Sequence, residues 1–422
     1  MFGCGYVSLS TPVCSTVADS TLQGDWKVTG LNKAGGLTVT RSKDSFDTNP
    51  EAILIGDPLD GTKNAKVKMG DELNVIEGVV TQAFGFYRIL PKTALSIKKA
   101  RSVEAPATNI KSAGSCKGLT VGQYNVENMN PNSTHIGAIA THISSFLNTP
   151  DLLFLQEVQD NDGILNVGVV EGSETLNALS SAIFAISGVQ YNYTEISPVN
   201  NQDGGVPGGN IRVAYLYNPA VLSLSAGTPG TATEAVSVLK GGALSVNPGR
   251  IDPSNAAFTA SRKPLVASFQ VKGSNKPLYA INVHSGSKGG STSLMGDSRP
   301  PVNGGIASRV AQAAVINNFA KDLLAADKDA QIIAAGDFNE FTGVAPQSVF
   351  EGTLYDSDEV AGIADTERYT YNFDMNCQQL DHTLISKSLK KSLKKYEHVH
   401  VNTWAAVEIS DHDPSVMLLN TC

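Results

Sequence analysis

Two rhythms of hydrophobic positions divide the chain. Over residues 22–101 the apolar and β-branched positions come in short runs broken by Gly35-Gly36, Asp57-Pro58, Asp60-Gly61 and Gly70-Asp71, the punctuation of strands joined by tight turns. Residues 73–80 read as one strand and residues 84–90 as its partner, so a small β-barrel or sandwich is expected there. Residues 102–116, with Pro106 and few large apolar side chains, have the composition of a linker. Residues 1–21 stand apart as an N-terminal segment.

Beyond Lys117 the rhythm changes. Apolar runs over residues 119–126, 152–155, 211–217, 265–271, 278–283 and 331–335 predict buried strands. Ile136, Ile139, Ile143 and Phe146/Leu147 recur at helical spacing, as do Val310, Ala313/Ala314, Phe319 and Leu323/Leu324. Strands that are apolar throughout need cover on both faces, so residues 117–422 are expected to form a layered α/β domain.

Composition and charge narrow the picture. A chain of 422 residues exceeds what one hydrophobic core usually serves, in keeping with two units. The net charge of -8 would repel a polyanion if spread evenly. A nucleic-acid partner would therefore need local Lys and Arg, or divalent cations that reverse the field at a carboxylate-rich site. No run of about 18 apolar residues is present, so no membrane span is expected. The first residues lack the charged-then-apolar order of a signal peptide, which leaves the compartment to other signals.

Those signals favour secretion. Cys4, Cys14, Cys116, Cys377 and Cys422 include no C-x-x-C pair, which argues against zinc and fits two disulfides plus one free thiol. Their pairing is open: Cys4 with Cys14 closes a local loop, while Cys377 is placed to join Cys422 or Cys116. Asn132-Ser133-Thr134 and Asn192-Tyr193-Thr194 are glycosylation sequons.

Chemistry gathers at the strand ends. Asn125, Glu157 and His284 each follow a predicted strand, and Asp337 and Asn339 follow another. Asp381, and Asp411 with His412, instead precede apolar runs. If the second group of strands runs against the first, all of these residues meet at one edge. Carboxylates and amide oxygens suit Mg²⁺ or Mn²⁺, with Ca²⁺ a third candidate. Imidazoles beside such an ion can donate to phosphate oxygens, and an Asp can orient or deprotonate water. The combination reads as metal-assisted hydrolysis of a phosphoester. Taken singly, each residue has a bland explanation: a solvated rim charge for Glu157, a structural histidine for His284, an Asx turn for residues 336–339. The joint pattern carries the reading.

Tyr124-Asn125-Val126-Glu127-Asn128, Gln156-Glu157, Asn282-Val283-His284 with Ser287-Lys288, Gly336-Asp337-Phe338-Asn339, Leu380-Asp381-His382 and Ser410-Asp411-His412-Asp413-Pro414 resemble, in order, the motifs of the endonuclease/exonuclease/phosphatase superfamily. The likeness is greatest to bacterial and fungal extracellular nucleases related to deoxyribonuclease I. It implies an α/β (α+β) fold: a four-layer αββα sandwich of two mostly antiparallel sheets, preceded by a small all-β, OB-like domain over residues 22–101. It also implies roles. Asn125 and Glu157 are the metal-side residues, and Asp411 serves the same or a second ion. His284 and His412 form the phosphate-binding and acid/base pair, Asp381 orients His412, and Asp337 and Asn339 position the water and the scissile phosphate.

Two further contacts are expected. Lys288, between Gly286 and Gly289-Gly290, is placed for phosphate because glycines allow close approach. Arg212 faces either the substrate or a carboxylate, and Asn210 stands where extracellular relatives often carry an acid. The expected function is that of a secreted, metal-dependent phosphodiesterase, a nuclease with a nucleic-acid substrate and no obligate protein partner. The alternatives are the same fold acting on phospholipid, sphingomyelin or inositol phosphate, a non-catalytic binding protein, and an abasic-site repair enzyme.

Overall fold

The computed structural model describes residues 29–42, 45–49, 52–101 and 104–422. The first strands are short: β1 (Thr40–Ser42), β2 (Ser45–Asp47), β3 (Leu54–Ile55), β4 (Glu72–Leu73), β5 (Gly78–Ala83), β6 (Phe86–Pro91) and β7 (Ile97–Lys99). They form three small sheets, β1-β2, β3-β6-β5 and β4-β7. The expected pairing of residues 73–80 with 84–90 is realised only as the β5/β6 hairpin, because Leu73 pairs with Ile97 instead. Ile55, Leu73 and Leu95 make a small core with Ile53, Val67 and Ile89 against them.

The second part holds two large sheets. Its strands are β8 (Leu119–Met129), β9 (Leu152–Val158), β10 (Asn192–Glu195), β11 (Arg212–Tyr217), β12 (Leu222–Leu224), β13 (Gly249–Arg250), β14 (Leu265–Val271) and β15 (Pro277–His284). They continue with β16 (Gln331–Asp337), β17 (Leu354–Asp356), β18 (Tyr371–Phe373), β19 (Asn376–Gln378), β20 (Asp381–Ser386), β21 (Leu393–His398) and β22 (Ser415–Leu419). One sheet has the order β10-β11-β9-β8-β22-β21, and the other β12-β14-β15-β16-β20-β17 with β13 beside β14. Only β8/β9 and β15/β16 are parallel pairs within these sheets.

Strand alternation explains the layering. Leu152 and Phe154 of β9 point with Val121 and Tyr215 toward Phe269, Ala280 and Ile333 of the opposite sheet, forming the inter-sheet core. Leu153 and Leu155 point the other way, against α1 (Ile136–Thr141), the wide turn that prolongs it, and α2 (Ser173–Ser187). Ile281, Ile332 and Ala334 meet Ile316, Phe319 and Leu323 of α3 (Ile306–Ala326). Helix, sheet, sheet and helix are therefore stacked in four layers, as the motif resemblance implied. Helix α2 has no counterpart in the periodicity reading.

Residues 104–115 carry no regular element, yet Ile110 is fully buried in the α1/α2 layer and Asn148 donates to the carbonyls of Thr108 and Ile110. This stretch is packed along the sandwich, unlike a free linker. Cys116 is bonded to Cys422, and Cys377 is a buried thiol. The expectation that Cys377 joins one of those two is therefore corrected: the chain end returns to the start of β8, and Cys377 faces Asn32 at 3.4 Å. Cys4 and Cys14 lie outside the described residues.

Candidate active site

Register brings the strand ends together. His284 is opposite Asp337 across β15/β16, and Asp337 is opposite Asp381 across the antiparallel β16/β20 pair. β22 runs against β8 with Ser415 opposite Gln123, which sets residues 410–412 beside Asn125, where Ser410 Oγ donates to the Asn125 carbonyl at 2.7 Å. The two strand groups do run in opposite directions, so their acids, amides and imidazoles share one edge.

Below that edge the sheets are stitched by amides. Gln156 donates to Asn282 Oδ1 at 2.7 Å, and Asn282 donates to the carbonyls of Leu155 and Ala214. Gly336 lies just above, with φ of 135°, and a Cβ there would stand 2.1 Å from the Val283 carbonyl oxygen. Only glycine permits this approach, which carries β16 into Asp337.

Asp337 is the hub. Its Oδ2 lies 3.5 Å from His284 Nε2, 3.9 Å from His412 Nε2 and 3.4 Å from Asn125 Nδ2. Asn339 braces it, donating its backbone N–H at 2.7 Å and its amide at 3.0 Å. His412 Nδ1 meets Asp381 Oδ2 at 2.6 Å, and the same oxygen accepts from Thr370 Oγ1 at 2.6 Å. Glu157 accepts from Asn125 Nδ2 at 3.2 Å and from the Asn128 N–H at 3.0 Å, 3.8 Å from His284.

Burial sets the electrostatics. It pushes the Asp337 carboxyl up to about 7, a rise that Asp381 and Glu157 assist and His412 opposes. Burial disfavours a charge on His412, but Asp381 outweighs it and holds the imidazole well above its ordinary range. His284 is driven well below that range by burial and by the charges of Arg262 and His412. The two histidines are thus biased in opposite directions, His412 toward its protonated form and His284 toward its neutral one.

The donor set fits a hard divalent cation. Burial raises the Asp411 and Glu127 carboxyls, and Glu157 adds to both through like charge. Asp411 Oδ1 is buried without a hydrogen-bond partner. A cation among these groups would relieve the repulsion. Among the described residues no three His, Cys, Asp or Glu side chains form a protein-only cage. Mg²⁺ needs none, since it takes one or two carboxylates and keeps its waters. Asn125 joins this set: its Nδ2 donates to Glu157 at 3.2 Å and to Asp337 at 3.4 Å, while its Oδ1 accepts the Glu127 N–H at 3.1 Å and keeps a second lone pair.

Backbone strain concentrates at the same place. Glu127, Asn128, Glu157 and Asn339 are non-glycine residues with φ of 47°, 48°, 61° and 52°. Such conformations cost about 1–3 kcal/mol each and persist where surroundings enforce them, commonly at functional sites.

Two expected contacts change meaning. Arg212 does not reach the cleft: it is buried against the N-terminus of α2, paired to Glu195 at 3.3 Å and donating to the Asn210 carbonyl. Burial takes it to the carboxylate of the two alternatives. Asn210 in turn donates to Asp160 and Val169. Lys288 does line the cleft, but its ammonium is held at 2.7 Å by both Glu340 and Asn303. Arg262 and Tyr371 line the cleft too, and neither stood out in the sequence. Arg262 lies in Ser-Arg-Lys-Pro with no motif around it; Tyr371, 5.0 Å from the His412 ring, sits in an aromatic run that reads as core.

The profile described as "Endonuclease/Exonuclease/phosphatase family" matches residues 122–412, the span that holds every one of these groups. The chain belongs to that family. Its members are hydrolases of phosphoester bonds that depend on divalent metal. A second profile, "Domain of unknown function (DUF8508)", matches residues 11–102. Among solved structures, an endonuclease/exonuclease/phosphatase family protein from Bacteroides thetaiotaomicron is 20% identical with a TM-score of 0.46, over 72% of this chain and 94% of that one. A mannosyl-6-phosphatase from Bacteroides thetaiotaomicron VPI-5482 is 19% identical with a TM-score of 0.45, over 71% and 99%. A humanized D. rerio TDP2 is 17% identical with a TM-score of 0.45, over 72% and 100%. A search of curated proteins found no match.

Proposed function

We propose that this family member is a secreted, Mg²⁺-dependent nuclease that cuts phosphodiester bonds by attack of water on phosphorus. The observation that carries the reading is the convergence on Asp337 of His284, of His412 held by Asp381, and of the Asn125/Glu157 pair, on the floor of one cleft. His412, kept protonated by Asp381, directs Nε2 toward Asp337, where it can donate to a phosphate oxygen and stabilise the added negative charge. Asp337, braced by Asn339, takes the proton of the attacking water. His284 supplies a neutral imidazole beside both carboxylates. Glu157 and Asp411 would hold the metal ion, which when bound acts as a Lewis acid on the phosphoryl oxygen. The P–O ester bond breaks, and the leaving oxygen takes a proton from His412, departing as an alcohol; His412 is then reprotonated by the proton that Asp337 took from the water.

Secretion is supported by the Cys116–Cys422 bond, a type of link that persists in oxidising compartments. Both sequon asparagines, Asn132 and Asn192, are exposed. No helix among the described residues is long and apolar enough to cross a membrane.

The deciding experiment incubates supercoiled plasmid DNA, single-stranded DNA and RNA with purified protein and Mg²⁺, with EDTA and Glu157→Ala as controls. Cleavage abolished in both controls is expected. Intact nucleic acids alongside turnover of bis(4-nitrophenyl) phosphate would sink the nuclease reading and leave a phosphodiesterase of smaller substrates.

A further inference from the structure

The catalytic groups occupy only the floor of a cleft of about 1040 Å³. Its walls come from elsewhere. Residues 287–303 form one side, and Val39 and Phe46, from the region matched by the profile of unknown function, form part of the other. Phe46 meets Phe341 with ring centroids 6.4 Å apart and planes tilted by 55°. Val302 and Phe373 continue the apolar lining, and the Lys288 ammonium lies 4.4 Å from the centre of the Phe341 ring.

This wall is fixed by hydrogen bonds. The Val39 N–H donates to the Cys377 carbonyl at 2.9 Å, and the Cys377 N–H donates back to Leu37 at 2.7 Å. Thr38 Oγ1 donates to the Thr366 carbonyl and Asn49 to Asn376, each at 2.7 Å. The segment carrying Phe46 is therefore docked on the β18/β19 hairpin, whose other strand presents Tyr371 to His412. Charge points the same way. Residues 22–101 hold twelve Lys and Arg against nine Asp and Glu, whereas residues 102–422 hold twenty against thirty. An anion approaching the acidic remainder is met best along the N-terminal side.

We infer that Val39 and Phe46 of the N-terminal region, with Phe341, form a subsite for a planar aromatic or heteroaromatic ring attached to the phosphodiester. The inference rests on the phosphodiesterase reading for the nearby phosphate and assigns the N-terminal region the task of substrate selection. A ring reaches this wall only when it is not buried in a stack, so unpaired nucleotides suit the cleft better than an intact duplex. The wall needs no partner in the chemistry: it contributes affinity through contact with a ring face.

The test uses the full chain and ligands that separate ring from phosphate. Titration calorimetry with diphenyl phosphate and with dimethyl phosphate is expected to show the aryl diester binding about tenfold tighter. Phe46→Leu keeps the docked segment's apolar contact while removing the ring, and should reduce that ratio to about twofold, as should Phe341→Leu. Phe46→Ala should remove it, with the thermal midpoint reporting whether the segment stays docked. Equal binding of the two diesters, binding of neither, or a preference that survives both Phe46 substitutions would overturn the subsite. Failure of bis(4-nitrophenyl) phosphate hydrolysis with the aryl preference intact would instead remove the catalytic reading and leave the ring site standing.

Discussion

The two parts of this molecule solve opposite problems. The two-sheet part buries three large apolar clusters and fixes its chemistry at the rigid ends of central strands. The N-terminal part has only small apolar clusters, one of them Ile55, Leu73 and Leu95, and leaves Val79, Val80, Phe84 and Tyr87 largely exposed. Its contribution to the cleft is Val39, Phe46 and Thr48 on a docked segment. Floor groups positioned to a few tenths of an ångström need the first kind of support; a wall that only offers apolar surface does not.

The comparison breaks first on activity. Glu157→Ala should lower kcat/KM for bis(4-nitrophenyl) phosphate by about 10³-fold or more, as loss of a preorganised charged group at the reacting centre does. Phe46→Leu should change it by less than about tenfold. Similar losses from both would erase the distinction between floor and wall.

Stability sharpens it next. Glu340 is fully buried, accepting from Lys288, Arg309 and Asn303, and thereby ties residues 287–303 to α3. Glu340→Ala leaves the Arg309 guanidinium buried without its partner and should cost about 3–5 kcal/mol in urea unfolding. Cys422→Ser opens the loop that spans 306 residues and should cost about 2–4 kcal/mol, with hydrolysis retained at 25 °C. Unchanged urea midpoints would refute either assignment.

The smallest effect is a pH dependence. Buried His398 and Asp358 meet at 2.9 Å, and although burial opposes charge on both, the contact holds the imidazole above and the carboxyl below their ordinary ranges. The His398 contribution is fully present below an unfolded pKa of about 6.5 and is lost as pH rises through its folded value. The Asp358 contribution is present above about 3.9 and is lost as pH falls through its own. Unfolding free energy should therefore decline from pH 6 to pH 9, and less steeply in His398→Gln; equal slopes would show that the pair does not carry the effect.

Much of the floor was legible beforehand because strand-end positions are periodic. Glu157, His284, Asp337 and Asp381 each adjoin a continuous apolar run, so their nearness needed only the strand directions, which β16/β20 and β8/β22 supply. Arg212 shows the limit. Its place within a predicted strand fitted both substrate and carboxylate, and only the packing of the α2 N-terminus against that strand buried it next to Glu195. Arg262, Tyr371 and Thr370 were illegible for a similar reason: each acts through neighbours far away in sequence.

The sequence by itself determined the period of the central strands and of helices α1 and α3, the order of the chemical residues along the chain and their membership in one family, because these follow from local pattern. The tertiary structure decided the rest: which cysteine Cys422 joins, that Lys288 is held by Glu340, that His284 and His412 are shifted in opposite directions, and that Phe46 stands in the wall of a cleft whose floor lies hundreds of residues away. Each depends on distances across the fold and on burial, and neither is encoded in the spacing of residues along a strand.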